Sequence, residues 1–203
     1  MRTIATAALC GLGAGWSTKS AAQMMTLDSI VNDPDAPTGG NPRGDIAIVA
    51  FLDYNCQYCK KSAPELDRAI AADGNIRLVY KDCPVLTEAS VYGARMALAA
   101  KYQGAYDRVH AALMRVSGKR NPQSFMEEAI QTSSVNMPRL KEDLEKHGED
   151  IDTLIRRNIA QARALGFEGV PNFLIGSLKA SGYLDAEAFQ SAIQQARGLR
   201  LQR

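Results

Sequence analysis

Two cysteines separated by two residues, Cys56 and Cys59, form the motif with the clearest chemistry in this sequence. The motif follows an apolar run (46–52) and precedes a segment with helical spacing (59–72), so it lies where a strand ends and a helix begins. The free N–H groups and positive dipole end of a helix N-terminus favour a thiolate. We therefore expect Cys56 to be an exposed nucleophile and Cys59, one turn into the helix, to be a shielded thiol that resolves mixed disulfides.

Two prolines support a redox interpretation of this motif. Pro64 falls inside the first helix, where it removes a backbone hydrogen bond and kinks the helix. Pro171 follows Val170 ahead of an apolar strand, and X-Pro is the bond at which a cis isomer costs least. A cis bond would turn the Val170 backbone outward to pair with an extended substrate. A trans proline that opens an edge strand is the alternative.

A metal site is the main alternative use of the two cysteines. Cys83, with His110 or His147, could complete a Cys3His zinc set. A structural zinc site usually brings a second closely spaced ligand pair, which this sequence lacks, so no metal ligand is predicted. Cys83 is expected to be a small buried hydrophobe, or else a third thiol that traps a partner or links two chains. His110 is expected to be packed or at the surface, and His147 to be solvated.

The first half of the chain predicts a βαβ unit around the motif. Ile46 to Leu52 is an apolar run typical of a strand buried on both faces, and Ile76 to Lys81 alternates as a second strand. With the helix of 59–72 between them, the two strands should be parallel. The segment from Asp33 to Asp45 is predicted to be loop, because it is rich in proline and glycine.

The second half of the chain predicts helices followed by a hairpin. From Thr87 to Leu165 only helical patterns are found, with Asn121 as the cap of a helix that has a first-turn proline. Strands at 170–175 and 178–183 should form a hairpin that turns near Gly176. Asp185 is expected to cap a last helix that extends to about Arg197.

The composition is that of an ordinary globular chain, and the first 22 residues predict an export signal. The 203 residues are 46% hydrophobic and 23% charged, and the net charge of +2 without a basic block disfavours nucleic acid as a partner. Residues 1–22 combine a basic start, an uncharged stretch of apolar and small residues (3–16) and small residues at Ser20 and Ala22, which is the plan of a secretory signal peptide. Residues 23–203 then form the mature chain.

Four segments together resemble the DsbA-like thiol:disulfide oxidoreductases of bacterial envelopes. They are FLDYNCQYCKKSAPEL (51–66), VYKDCPVL (79–86), ARMALAAKYQGAYDRVHAALM (94–114) and GFEGVPNFLIG (166–176). The resemblance runs from about residue 46 to 193. It implies an α/β thioredoxin-like fold, a central mixed sheet flanked by helices, with an inserted helical subdomain at about 84–166. It also implies a cis bond before Pro171, Cys56 as nucleophile and Cys59 as resolving cysteine.

Two departures from the family pattern bear on the chemistry. The family often has a buried glutamate six residues before the first cysteine, where this chain has Ala50; Asp53 is the nearest acid, but at a different family position. The strongest oxidants carry Pro-His between the cysteines, where this chain has Gln57 and Tyr58. We therefore predict a less depressed Cys56 pKa and a milder oxidant, with a potential between roughly −270 and −120 mV.

The function predicted from these observations is a periplasmic oxidase that passes its Cys56–Cys59 disulfide to thiols of exported proteins. Pro171 completes the catalytic set, and Val170, Gln57 and Tyr58 are the candidate substrate-binding residues. The resemblance implies reoxidation by a quinone-linked membrane partner of DsbB type. A monomer is expected, with no cofactor. The alternatives are an isomerase or reductase of the same fold, a copper- or zinc-binding envelope protein, and, without export, a cytosolic thioredoxin-like reductant.

Overall fold

A mixed five-stranded sheet organises the protein, as a computed structural model that describes residues 26–202 shows. The strands are β1 (Thr38–Gly40), β2 (Ile46–Leu52), β3 (Ile76–Asp82), β4 (Asn172–Ile175) and β5 (Leu178–Ser181), in the spatial order β1-β3-β2-β4-β5. The predicted signal peptide and the first residues of the predicted mature chain lie outside the described residues.

The βαβ unit predicted from the sequence is confirmed. β2 and β3 are parallel, with Ile46 opposite Ile76 and Leu52 opposite Asp82. β4 pairs with the other edge of β2 in the antiparallel sense, so β2 is central and its side chains are covered on both faces. This burial explains why β2 is a continuous apolar run rather than an alternating one.

Helix α2 (Gln57–Asp73) connects β2 to β3 across one face of the sheet. Its buried stripe includes Cys59, Leu66 and Ala69, at the three- and four-residue spacing of an amphipathic helix. The helix ends at Gly74, whose φ of 71° is a left-handed conformation that glycine adopts without a steric penalty. Pro64 lies inside α2, as predicted.

Between β3 and β4 all regular secondary structure is helical, as the sequence predicted. The elements are α3 (Glu88–Ala100), a 3-10 turn (Lys101–Gln103), α4 (Tyr106–Met114), α5 (Gln123–Thr132) and α6 (Met137–Ala164). The 28 residues of α6 give it a length of about 42 Å. Its middle packs with α3 in one core cluster, and its end, at Ala162, packs in a second cluster on the opposite face of the sheet.

Two further helices complete the fold. α7 (Ala186–Leu201), which Asp185 caps as predicted, packs beside α2. The short α1 (Leu27–Val31) lies on the other face, where Ile30 is buried in the second core cluster. Within residues 26–202, no helix is both long enough and apolar enough to cross a membrane.

Three expectations from the sequence need correction. The segment from 33 to 45, predicted to be loop, contains the edge strand β1, whose sequence Thr-Gly-Gly has no apolar pattern to reveal it. The hairpin strands are shorter than predicted, with β4 starting at Asn172 and β5 ending at Ser181. Asn121 does not cap α5: the capping position is Pro122, and the Asn121 side chain donates instead to the Ser117 carbonyl oxygen.

A buried ion pair anchors the segment before β1 to the sheet. Lys81, fully buried on β3, donates to Asp33 at 2.5 Å, and Arg157 of α6 contacts the same carboxylate at 2.7 Å. Burial alone would raise the Asp33 pKa, but the hydrogen bond and charge of Lys81 hold it below its usual value. Arg157 also reaches Asp35, which is 59% exposed.

Substitution of the two aspartates should separate buried from exposed pairing. Asp33→Asn leaves the Lys81 ammonium buried without an anionic partner, so we expect it to lower the free energy of unfolding by about 3–5 kcal/mol. Asp35→Asn removes an exposed partner of the same arginine and should cost about 0–1 kcal/mol. Urea unfolding at pH 7 measures both values, and equal effects would contradict the role given to the buried pair.

Candidate active site

Cys56 occupies the capping position at the start of α2. Its Sγ accepts the backbone N–H of Cys59 at 3.2 Å, which satisfies one of the free donors of the first helical turn. Its thiol donates to the Val170 carbonyl oxygen at 3.4 Å, across 114 residues of sequence. The structure therefore brings the predicted nucleophile and the predicted substrate-binding backbone into direct contact.

Cys56 is less exposed than the sequence predicted. Only 5% of the residue is accessible, because the segment before β4 lies against the start of α2. Cys59 is completely buried, as expected for a shielded thiol. Both cysteines are free thiols in the structure, as is Cys83.

The two thiols of the motif differ strongly in acidity. A hydrogen bond from the Cys59 thiol, together with backbone N–H donors of the first helical turn, lowers the Cys56 pKa to about 7 against the effect of burial. Burial raises the Cys59 pKa far above its usual value, and the hydrogen bond to Cys56 adds to that increase. At neutral pH, Cys56 is thus the thiol of the pair that ionises.

The other predicted site residues lie around Cys56. The peptide bond between Val170 and Pro171 is cis, the isomer that the resemblance implies. Tyr58 is 49% exposed, whereas Gln57 is half-buried at the edge of a cavity. Pro171 itself is buried. Their roles in catalysis and substrate binding stay predictions.

Asp53 has a structural role that the sequence did not reveal. One of its carboxylate oxygens accepts the backbone N–H of Asn55 at 2.7 Å. The other accepts the N–H groups of Val85 and Leu86 at 2.9 and 3.1 Å. Asp53 therefore fixes the loop after β3, with its two exposed apolar side chains, beside the cysteine motif.

Asn55 links the same loop to the helical region. Its side chain donates to the Thr87 hydroxyl at 2.8 Å and to the Asn121 carbonyl oxygen at 3.0 Å, and it accepts the Asn121 backbone N–H at 2.8 Å. Thr87 caps α3, and Asn121 lies just before α5. The residue directly before Cys56 thus joins the ends of two helices that are distant in sequence.

A cavity of about 720 Å³ separates the first half of α2 from α4. Its lining includes Gln57, Lys60 and Pro64 of α2, His110 of α4 and Tyr80 of β3. His110 is buried, in accordance with the expectation of a packed residue, and its Nδ1 forms a hydrogen bond with the Tyr54 hydroxyl at 2.9 Å. Burial lowers the His110 pKa to about 4, so the ring is neutral at physiological pH.

The residues of the alternative zinc set are not assembled. Cys83 is 3% exposed and packs with Phe51 on the opposite face of the sheet from Cys59, as the prediction of a small buried hydrophobe requires. Burial raises its pKa to about 12. His147 is half-buried and stacks on Tyr102, with ring centroids 3.8 Å apart, rather than being fully solvated. Residues 26–202 contain no group of three or more His, Cys, Asp or Glu placed to hold a metal ion.

Comparison with known proteins shows that this chain is similar to proteins of the thioredoxin family. A family model described as Thioredoxin matches residues 32–195. A thioredoxin-like oxidoreductase from Silicibacter pomeroyi DSS-3 is 38% identical, with a TM-score of 0.79 over 85% of this chain and 98% of that one. The thiol-disulfide exchange protein alpha-DsbA2 from Wolbachia pipientis shares the fold at 24% identity, with a TM-score of 0.76 over 83% and 90% of the two chains.

A curated relative of a different kind also matches. The Na(+)/H(+) antiporter NhaA 1 of Salinispora arenicola (strain CNS-205) is 27% identical over 169 residues, which are 81% of this chain and 25% of the antiporter. The chain therefore spans about a quarter of the length of the curated relatives it matches.

Alkylation of the reduced protein should show the difference between the thiols. The rate at Cys56 should rise through pH 7, because a lowered pKa means that thiolate forms as the pH passes that value. Cys59 and Cys83 should react far more slowly between pH 6 and 8. Iodoacetamide labelling with peptide mass analysis measures each site, and a half-maximal rate near pH 8.5, the ordinary thiol value, would contradict the site geometry.

Asp53→Asn should lower the free energy of unfolding by about 1–3 kcal/mol. The amide nitrogen cannot accept a hydrogen bond, so the backbone N–H of at least one of Asn55, Val85 and Leu86 loses its partner. Asp185→Asn is the matched control, because asparagine caps a helix as well as aspartate does. Urea unfolding measures both variants, and an Asp53→Asn protein as stable as the control would contradict this account.

Proposed function

The chain belongs to the thioredoxin family, and we propose that it is a DsbA-like thiol–disulfide oxidoreductase that donates the Cys56–Cys59 disulfide to thiols of exported proteins. The observation that carries the proposal is the contact geometry of Cys56. One sulfur atom receives an N–H bond at a helix N-terminus and lies 3.4 Å from the Val170 carbonyl oxygen, with the second thiol buried behind it.

The proposed reaction proceeds through a mixed disulfide at Cys56. A substrate thiolate attacks the Cys56 sulfur of the oxidised protein; a new disulfide forms to substrate, and the Cys56–Cys59 bond breaks. Cys59 leaves as a thiolate and takes up a proton. A second substrate thiolate then attacks the substrate sulfur of the mixed disulfide, and Cys56 leaves. The substrate dithiol is oxidised by two electrons, and the protein becomes the dithiol.

The pKa of Cys56 bears on the strength of the oxidant. A value of about 7 matches thioredoxin, whereas the thiol of DsbA ionises near 3.5. Less stabilisation of the Cys56 thiolate means less stabilisation of the reduced protein, and therefore a weaker oxidant than DsbA. The same value supports a second candidate, a disulfide isomerase or reductase of this fold.

The setting and partners extend the proposal. Export follows from the signal peptide predicted for residues 1–22 and leads to the periplasm, where disulfides persist. The substrates are then reduced exported proteins, and a quinone-linked membrane protein of DsbB type is the proposed partner that restores the disulfide. We propose that the protein works as a monomer, without a cofactor, metal ion or nucleic acid.

The reduction potential of the Cys56–Cys59 pair tests the proposed direction. We expect it between −270 mV, the value of thioredoxin, and −120 mV, the value of DsbA, because the Cys56 thiolate is stabilised only in part. Equilibration of the full chain with glutathione buffers, followed by thiol trapping and mass analysis, gives the potential. The Cys10→Ser and Cys83→Ser substitutions remove competing thiols.

A substrate assay provides the control. The oxidised protein should convert a reduced peptide dithiol to its disulfide with one-to-one stoichiometry, and Cys56→Ser should abolish this reaction. Cys83→Ser should retain it, because Cys83 lies on the other face of the sheet. A potential at or below −270 mV would transfer the assignment to the reductase or isomerase. Absence of exchange in the unsubstituted protein would overturn the proposed function altogether.

A further inference from the structure

A buried carboxyl group lies on the same face of the sheet as the resolving cysteine. Asp82 is the last residue of β3 and is 2% exposed. In the alternation along β3 it follows Leu78 and Tyr80, which pack in the core cluster that contains Cys59. Its partner across the parallel pair is Leu52, the last residue of β2.

Cys59 lies above the end of the neighbouring strand. The backbone N–H of Asp53, one residue after Leu52, donates to Cys59 Sγ at 3.5 Å. The backbones of adjacent strands are about 4.8 Å apart. Asp82 and Cys59 therefore lie over the ends of two neighbouring strands, on the same face of the sheet. Proton transfer between two such groups can proceed directly or through one water molecule.

Hydroxyl groups connect Asp82 to the cavity. The Tyr106 hydroxyl donates to Asp82 Oδ2 at 3.0 Å, and the Tyr54 hydroxyl also stabilises this carboxylate. Tyr54 in turn is hydrogen-bonded to His110, whose ring lines the cavity between α2 and α4. The buried Tyr54 hydroxyl thus lies between the Asp82 carboxyl group and His110, which borders the cavity.

We infer that Asp82 exchanges the Cys59 proton during disulfide transfer, and that Tyr54 and His110 connect it to the cavity. The inference rests on the proposed function and deepens it. It supplies a proton acceptor in a chain whose buried Ala50, on the neighbouring strand, stands where the resembled family often has a glutamate.

The proton balance is the same in both directions of the reaction. When the Cys56–Cys59 bond breaks, Cys59 leaves as a thiolate and takes the proton of the Asp82 carboxyl group. When Cys59 attacks a mixed disulfide at Cys56, its proton passes to the Asp82 carboxylate and the outside thiolate leaves. Solvent in the cavity restores the Asp82 proton in the first case and accepts it in the second.

The groups that surround Asp82 come from several elements. Burial and, to a smaller extent, the charge of Asp53 raise the Asp82 pKa, whereas hydrogen bonds from Tyr54 and Tyr106 lower it. The net result is a pKa of about 7. Asp53 precedes α2, Tyr106 belongs to α4, and neutral His110 lies beyond Tyr54. From α6, Asn158 donates its amide to the Asp82 backbone oxygen at 3.1 Å and brings no charge. The raised pKa thus brings the titration of Asp82 towards the neutral range in which a proton exchanger works.

The test follows the attack of Cys59 on a glutathione mixed disulfide. The reduced full chain, with Cys10→Ser and Cys83→Ser, is mixed with oxidised glutathione, and the second step, release of glutathione from Cys56, is timed by acid quench and mass analysis from pH 5 to 9. With Asp82 present, the rate should rise with pH and level off above about pH 7. Asp82→Asn should lower the rate at pH 7 at least tenfold and remove this levelling.

Asp67→Asn is the matched control, because this carboxyl group lines the same cavity without joining Asp82, Tyr54 or His110. Its profile should equal that of the parent. Tyr106→Phe keeps the carboxyl group but removes a donor to it, so the inflection should move to higher pH. This second variant keeps the test decisive if Asp82→Asn does not fold.

The outcomes separate the two proposals. An Asp82→Asn profile identical to that of the parent, or an unmoved inflection in Tyr106→Phe, would overturn the inference about Asp82. A parent protein that forms no mixed disulfide with glutathione would instead overturn the proposed function.

Discussion

The free N–H groups at the start of α2 are the constraint on which the site depends. A helix that begins directly after a buried strand needs acceptors for its first donors, and here the Cys56 sulfur is one of them. The same contact that completes the helix also favours the thiolate. The position is fixed because β2 is held on both sides, by β3 and by β4.

Polar residues around this junction connect it to the rest of the molecule. Asp53 fixes the loop after β3, and Asn55 joins the starts of α3 and α5. Both residues are about 1% exposed, so each hydrogen bond replaces water that cannot reach the group. Together with Val170, which contacts Cys56, these bonds hold the cysteine motif by three separate stretches of chain: the loop after β3, the start of α5 and the segment before β4.

The sequence predicted β2, α2 and β3 well because their hydrophobic periods are strong and local. It missed β1, because a Thr-Gly-Gly edge strand is defined by its pairing with β3 rather than by side chains. It also misjudged Cys56, whose burial comes from Val170, more than a hundred residues away. Asn121 has the residue type of a helix cap, but long-range bonds to Asn55 decide its conformation. In each case the missing information was a contact between segments remote in sequence.

The placement of Cys83 bears on which disulfide the protein can form. A third thiol next to the reactive pair would allow three different disulfides, and two of them would leave one cysteine of the pair blocked. Here the strand layer separates Cys83 from Cys59, and burial keeps it protonated. The sheet thus keeps the Cys83 sulfur apart from the Cys56–Cys59 pair, and Cys83 packs in the core of the other face.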